Sequence, residues 1–280
     1  MSDDFKDISK RYSVTPTGET IINGVDLTET KNRSKAYAWC DVLQSGTGLI
    51  LGLFLFCHMA FTSSIVWGGK DIFWSLVAFT GGYFFDGVDH LWMHSLFVGI
   101  IFVVVIVHAI LALRKFPTNY RAFRTMRGHY KLLRHGDTTW WWIQFLTGVA
   151  LTALVFPHML PMLTNPEAIG PYASGLEVYH SWLWVVFFFL IVTELHGMIG
   201  LYRLYMKWCG PSNAARATAR KLTIVVTALM IVCGSFAILG YNDAGKEAAQ
   251  AGTEKYVPGW LQTPQTAPYP DWWPDRLKKN

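Results

Sequence analysis

The chain has 280 residues, of which 52% are hydrophobic and only 15% are charged. Ordinary soluble domains carry about a quarter charged residues, so this composition argues against a soluble enzyme and against a disordered chain. The formal net charge of +5 is small and is scattered through apolar sequence, so we expect no nucleic-acid partner. The four cysteines show no C-x-x-C spacing, which argues against a zinc site and against covalent haem attachment.

Five long segments are free, or nearly free, of charged residues. They contain 21 to 29 residues each and hold a single acid, Glu194; they are residues 42–69, 90–113, 138–166, 178–202 and 222–242. A helix needs about 20 apolar residues to cross the hydrocarbon layer of a bilayer, and a lipid-exposed backbone must satisfy its own hydrogen bonds. We therefore predict an all-α, polytopic membrane bundle of five transmembrane helices.

Lysine and arginine are distributed unevenly between the connections. They concentrate before the first segment, between the second and third, and between the fourth and fifth, whereas the other two connections hold only Lys70. Because positively charged loops face the cytoplasm, we predict a cytoplasmic N-terminal segment (1–37), a membrane domain (38–241) and an outer-face C-terminal tail (242–280). No internal repeat is evident.

Four histidines lie deep within the first four segments, namely His58, His108, His158 and His196. A polar side chain in hydrocarbon is costly, so each marks a candidate functional site. At a rise of about 1.5 Å per residue, His108 and His196 lie roughly 10 Å from the predicted cytoplasmic end, and the other two lie roughly 25–31 Å from it. The sequence thus predicts an inner pair and an outer pair. The alternative, histidines that only pack helices, is disfavoured by their recurrence on four successive segments.

Two level pairs of neutral imidazoles suit two six-coordinate b-type haems held without covalent bonds. Zinc or copper fits less well, because each level offers two ligands and no nearby cysteine or carboxylate completes a set. Glu194 lies two residues before His196 and therefore points to a different side of the helix. Acids inside the membrane recur in proton relays; the alternative for Glu194 is a neutral carboxyl bonded to a neighbouring helix.

Several segments resemble the dihaem cytochrome b subunit of quinol:fumarate reductases. The resemblance covers residues 38 to 240 and is carried by Q-S-G-T-G-L-I-L-G-L-F-L-F-C-H-M (44–59), L-A-L-R-K-F-P-T-N-Y-R (111–121), R-H-G-D-T-T-W-W-W-I-Q (134–144) and E-L-H-G-M-I-G-L-Y-R-L (194–204). It implies that His58 and His158 ligate an outer haem b, and that His108 and His196 ligate an inner one. It also implies that Glu194, the glutamate of E-L-H-G, carries protons.

The same resemblance implies a complex in the cytoplasmic (inner) membrane. An FAD flavoprotein subunit and an iron–sulfur subunit would lie on its cytoplasmic side, in a dimer of heterotrimers. Menaquinol would be oxidised near the outer haem, electrons would pass through both haems to the iron–sulfur subunit, and fumarate would be reduced at the flavin.

The chain departs from this family in the connection between its first two spans. Relatives use a glutamate there at the quinol site, but this chain has no glutamate from residue 30 to 166, and Thr80 aligns at that position. Asp86, Asp89 and His90 lie near the predicted outer surface and are candidates for the proton-accepting role. Each is equally compatible with a solvated loop residue.

Three alternatives to a quinol:fumarate reductase subunit follow from the same sequence. The complex could act mainly as a succinate:quinone reductase, since its direction depends on the quinone and on the partner subunits. The chain could be a passive anchor without electron transfer. A cytochrome b subunit of a hydrogenase or formate dehydrogenase is disfavoured by the motifs of the C-terminal half.

Overall fold

The computed structural model describes residues 12–14, 20–22, 25–26, 35–133 and 136–262. The chain forms two compact units, residues 1–42 and 43–280. The first contains a small antiparallel sheet of three strands in the order β1 (Tyr12–Val14), β2 (Thr20–Ile22) and β3 (Val25–Asp26). In its register, Ser13 lies opposite Ile21 and Ile22 lies opposite Val25. These strands are an addition to the predicted all-α architecture.

Helices make up most of the remaining described chain. In order they are α1 (Ala36–Trp67), α2 (Gly69–Thr80), α3 (Tyr83–Asp86), α4 (Leu91–Leu113), α5 (Tyr120–Leu133), α6 (Gly136–Thr164), α7 (Pro171–Glu177), α8 (Leu183–Cys209), α9 (Asn213–Ala251) and α10 (Gly259–Gln262). A 3₁₀ turn, Pro166–Ala168, precedes α7, and a π-helical turn, Val178–Trp182, leads into α8. Helices α1, α4, α6, α8 and α9 have 23 to 39 residues each and are apolar enough to cross a membrane. The predicted five-helix membrane bundle is confirmed, while its orientation stays a prediction.

The outward faces of the spanning helices are apolar. Helix α4 is the most apolar of the spanning helices described, and Leu96, Val103 and Ile110 on it are all more than half exposed. A soluble monomer rarely leaves so much apolar surface in water, whereas lipid tails match it. The exposed side chains of these helices are therefore suited to contact with lipid.

The interior is built around α8, which packs against α6 and α9, while α4 packs against α6. A buried cluster joins α1, α8 and α9 through Leu55, Met59, Leu190, Met198 and Ile238. Small residues allow this close approach, as is usual where membrane helices meet. At Gly52 of α1, for example, a Cβ would lie 2.6 Å from a methyl carbon of Leu201.

Helix α9 is longer than its apolar run. The hydroxyl of Ser212 caps its first turn by accepting a hydrogen bond from the Ala215 N–H (3.3 Å), and Gly252 ends it with a left-handed φ of +64°. The sequence placed the membrane domain boundary at 241, whereas the helix continues to Ala251. The first residues of the predicted tail are therefore the last turns of α9.

Residues 252–262, here called the C-terminal strap, fold back against α2. The Tyr256 hydroxyl donates a hydrogen bond to a carboxylate oxygen of Asp71 (2.5 Å), and the Gly259 N–H donates to the same oxygen (3.2 Å). Nearby, Lys70 forms an ion pair with Glu247, and the Tyr172 hydroxyl donates to Glu247 (2.9 Å). Burial and this hydrogen bond raise the pKa of Tyr172 to about 12. The strap is thus held by polar contacts to α2.

Candidate functional site

The end of the bundle that holds Asp71 and Asp89 is called the outer end below, following the predicted orientation. Towards it, His58 of α1 and His158 of α6 meet with ring centroids 6.1 Å apart and an interplanar angle of 79°. Phe54 stacks on His58 at 5.3 Å, and Phe189 lies 5.0 Å from His158. The two outer histidines predicted to pair are therefore in contact, between aromatic side chains.

The ring nitrogens of this outer pair remain available for ligation. Within the described residues, the contacts of the His58 and His158 rings are with other rings, and neither ring has a hydrogen-bond partner. In the same part of the chain, no three His, Cys, Asp or Glu side chains converge in a way that could hold a metal ion. Two imidazoles with free nitrogens fit a group that brings its own equatorial ligands, as a porphyrin does.

At the opposite end of the bundle, the ring of His196 on α8 is fixed by α6. Its Nδ1 lies 3.0 Å from the carbonyl oxygen of Gln144 and 3.3 Å from the Thr147 hydroxyl. A carbonyl can only accept, and the Thr147 hydroxyl already donates to Ile143 (2.8 Å), so Nδ1 must carry the hydrogen. In a neutral ring this leaves the Nε2 lone pair free, which is the tautomer that binds a metal.

His108 of α4 is held in the same way by α1. Its Nδ1 lies 3.1 Å from the Thr47 hydroxyl, which donates to the carbonyl of Leu43 (2.8 Å). The two histidines of the predicted inner pair are therefore each fixed through Nδ1 by a neighbouring helix, and both rings leave Nε2 free.

The two supports share one local motif that sequence analysis missed. Residues 44–48 and 144–148 both read Gln-x-x-Thr-Gly. In each, the threonine meets a histidine and the glycine lies under its ring: a Cβ at Gly48 would come within 3.1 Å of His108, and one at Gly148 within 3.0 Å of His196. Each glycine thus lets an imidazole approach a helix backbone. The two copies of the motif can be found in the sequence, but the sequence does not show which histidine each copy contacts.

Glu194 is fully buried, with 0% of its surface exposed. Neither of its carboxyl oxygens has a hydrogen-bond partner among the described residues. It lies one turn from Leu190 and Met198, which belong to the cluster shared with α1 and α9, whereas His196 faces α6. The predicted separation of Glu194 and His196 to different sides of the helix agrees with these contacts.

The three outer candidates fall into two separate pairs. His90 contacts the Asp86 carboxylate at 2.9 Å, and a hydrogen bond from the Val88 N–H lowers the pKa of Asp86. Asp89 instead contacts His94, at 3.3 Å. Sequence analysis passed over His94, although it lies two heptads before His108 and so on a similar face of α4.

Comparison with known proteins agrees with this architecture. Residues 117–237 match the family model of the succinate dehydrogenase/fumarate reductase transmembrane subunit. The chain is 38% identical to the fumarate reductase cytochrome b subunit of Wolinella succinogenes, over 82% of this chain and 92% of that protein. It is 39% and 38% identical to the subunits of the same name from two strains of Helicobacter pylori, over 84% of this chain and 92% of theirs. The chain therefore belongs to the family of succinate dehydrogenase and fumarate reductase transmembrane subunits, among the cytochrome b subunits of fumarate reductase.

Proposed function

We propose that this chain is the dihaem cytochrome b subunit of a quinol:fumarate reductase in the inner membrane. In this role it oxidises menaquinol near its outer end and delivers electrons to an iron–sulfur subunit, which serves a flavoprotein that reduces fumarate. The observation that carries the proposal is the contact between His58 and His158, which lie on two different spanning helices with their rings 6.1 Å apart. The names of its relatives support the same role.

The histidine pairs are the proposed axial ligands. His58 and His158 would hold an outer haem b through ring nitrogens that have no hydrogen-bond partner among the described residues. His108 and His196 would hold an inner haem b through Nε2, because Thr47 faces the Nδ1 of His108 and the Gln144 carbonyl accepts from the Nδ1 of His196. When bound, each haem supplies one-electron redox chemistry within a dry helix bundle. The chain's own part is to fix ring orientation and tautomer and to exclude water.

Glu194 is the proposed proton carrier of the membrane interior. Its carboxyl is fully buried and has no partner among the described residues, and an acid at such depth is expensive unless it serves a function. It lies on the side of α8 that faces α1 and α9. A carboxyl there can take a proton from one side and release it on the other.

The outer end is the proposed region of quinol oxidation. Asp86, Asp89 and His90 gather near the loop that precedes α4, where titratable groups can pass protons to the surface. The flavoprotein and iron–sulfur partners would bind at the inner end, in a dimer of heterotrimers.

Spectra of the purified complex test this proposal. We expect two b-type haems per chain in dithionite-reduced spectra, and menaquinol should reduce them. His58→Ala or His158→Ala should remove one haem and abolish menaquinol oxidation, while the inner haem persists. His180→Ala, which changes an exposed histidine of the π-helical turn, should keep both haems. A complex without b-type bands would instead identify a passive anchor.

A further inference from the structure

His94 is a buried histidine that the proposed function does not use. It lies in the first turn of α4 and is only 5% exposed. Its Nδ1 lies 3.4 Å from the Thr80 hydroxyl at the end of α2, and its Nε2 lies 3.3 Å from the Asp89 carboxylate. Two segments outside α4 thus converge on one imidazole.

Both partners of His94 offer lone pairs. The Thr80 hydroxyl donates its hydrogen to the Val77 carbonyl (2.7 Å), so towards His94 it can only accept. An ionised carboxylate, such as that of Asp89, also only accepts. A neutral imidazole has one N–H and satisfies one of these partners, whereas an imidazolium has two and satisfies both. The surroundings of His94 therefore suit a ring that takes up a proton.

The backbone around His94 is shaped to permit this contact. A Cβ at Gly81 would overlap the Asp89 carboxylate and come within 2.5 Å of the His94 Nε2. The Gly81 carbonyl also accepts a hydrogen bond from the His90 N–H (2.9 Å), which closes the loop. A residue with a side chain at 81 would separate Asp89 from His94.

The pair connects the bundle interior with its surface. Asp89 is 43% exposed, whereas His94 is buried. One turn deeper on α4, Phe97 lies 6.1 Å from Phe54, which stacks on His58. His94 lies about 5 Å from the outer end of its helix and His58 about 13 Å from the end of α1. His94 thus lies nearer the surface than the outer histidine pair, one helical turn from an aromatic side chain that packs towards that pair.

We propose that His94 accepts a proton from menaquinol and that Asp89 passes this proton to the outer surface. The inference rests on the proposed function, which supplies the quinol and the outer haem as the electron acceptor. Oxidation of a quinol to a quinone breaks two O–H bonds and releases two protons and two electrons. One proton goes to Nδ1 of His94, whose contact with Thr80 is long for a hydrogen bond, and the other goes to water. The two electrons leave singly to the outer haem.

The test replaces His94 in the detergent-solubilised complex, using a short-chain naphthoquinol as donor. His94→Gln should lower kcat for quinol oxidation about 100-fold, a common contribution of a general base, with little change in KM. Both haems should remain, and fumarate reduction by an artificial dye that reaches the flavin directly should be unchanged. The infrared difference spectrum of quinol oxidation should lose its imidazolium bands. His180→Gln should behave as wild type in all of these measurements.

Two further variants separate proton transfer from folding. Asp89→Asn keeps the shape of a half-exposed side chain and should also lower kcat. Adding Thr80→Glu to His94→Gln should restore much of the activity, because position 80 faces the same site. A full rate of quinol oxidation in His94→Gln, with both haems present, would overturn the inference and leave the proposed function intact. Loss of the outer haem in His94→Gln, without rescue by Thr80→Glu, would have the same consequence. A wild-type complex whose haems menaquinol cannot reduce would overturn both.

Discussion

The imidazole of His196 on α8 donates its Nδ1 hydrogen to the backbone carbonyl of Gln144 on α6, 3.0 Å away. The side chain of Gln144 in turn accepts a hydrogen bond from Arg203. One residue therefore orients a proposed ligand through its backbone and an inner-end cation through its side chain. Because His108 has an equivalent support on α1, the electronic state of both inner imidazoles depends on neighbouring helices.

Removal of the Thr47 hydroxyl should change the inner haem alone. An acceptor at Nδ1 makes the ring a stronger electron donor to the metal, so Thr47→Val, which removes the acceptor of His108, should raise the midpoint potential of the inner haem. A net hydrogen-bond contribution of about 1 kcal/mol corresponds to roughly 40 mV for one electron. Redox titration followed in the visible spectrum measures this shift in midpoint potential. Thr227→Val, which removes a hydroxyl bonded to the Thr223 carbonyl, should leave both potentials unchanged, and an equal shift in the outer haem would contradict the assignment.

A methyl group beneath an inner imidazole should weaken haem binding. In Gly48→Ala the new Cβ would lie 3.1 Å from the His108 ring, so the ring must move. We expect less haem per chain in a pyridine haemochrome assay, with the loss confined to the inner site. Gly46→Ala provides the matched control, because a Cβ at Gly46, on the same helix, has no atom within 4 Å. Similar haem contents in the two variants would argue against a ring seated on Gly48.

Glu194→Gln should uncouple quinol oxidation from fumarate reduction without unfolding the chain. Glutamine has nearly the same shape but cannot carry a proton, and no hydrogen bond of Glu194 within the described residues is lost. Menaquinol-dependent fumarate reduction should fall at least tenfold, a typical loss when an acid–base group is removed. Fumarate reduction from an artificial donor to the flavin should persist. Glu177→Gln, at an exposed position of α7, is the control, and equal rates with both donors would remove Glu194 from the proton route.

The C-terminal strap should depend on the Tyr256 hydroxyl. Tyr256→Phe removes its hydrogen bond to Asp71, so the strap should be cleaved faster in limited proteolysis. Tyr179→Phe, whose hydroxyl makes no hydrogen bond among the described residues, should be cleaved at the wild-type rate. Unchanged cleavage in Tyr256→Phe would show that other contacts hold the strap.

Alkaline pH should lower the thermal stability of the chain through Tyr172, which lies near the strap. Burial and the hydrogen bond to Glu247 raise the pKa of Tyr172 from 10.0 to about 12, so the folded state favours the neutral phenol. The contribution of this pKa shift to the free energy of unfolding is fully present below pH 10 and is lost as the pH rises towards 12. The thermal midpoint of the wild type should therefore fall more steeply above pH 10 than that of Tyr172→Phe. Parallel curves would contradict a role for this phenol.

Much of the architecture could be predicted from the sequence. The five spans follow from uncharged runs, because a bilayer of fixed thickness demands a minimum apolar length. The two levels of histidines follow from counting residues, because the helix rise is constant. This count predicted that His58 pairs with His158, and the structure brings their rings together.

Only the tertiary structure shows which residues the other buried polar side chains contact. His94 with Asp89, and the threonines beneath His108 and His196, depend on how each helix is rotated about its axis. In a soluble protein an amphipathic pattern reveals that rotation. In a membrane both lipid and protein interior are apolar, so a helix such as α4 carries little pattern, and side-chain contacts between helices decide which of its faces turns inward.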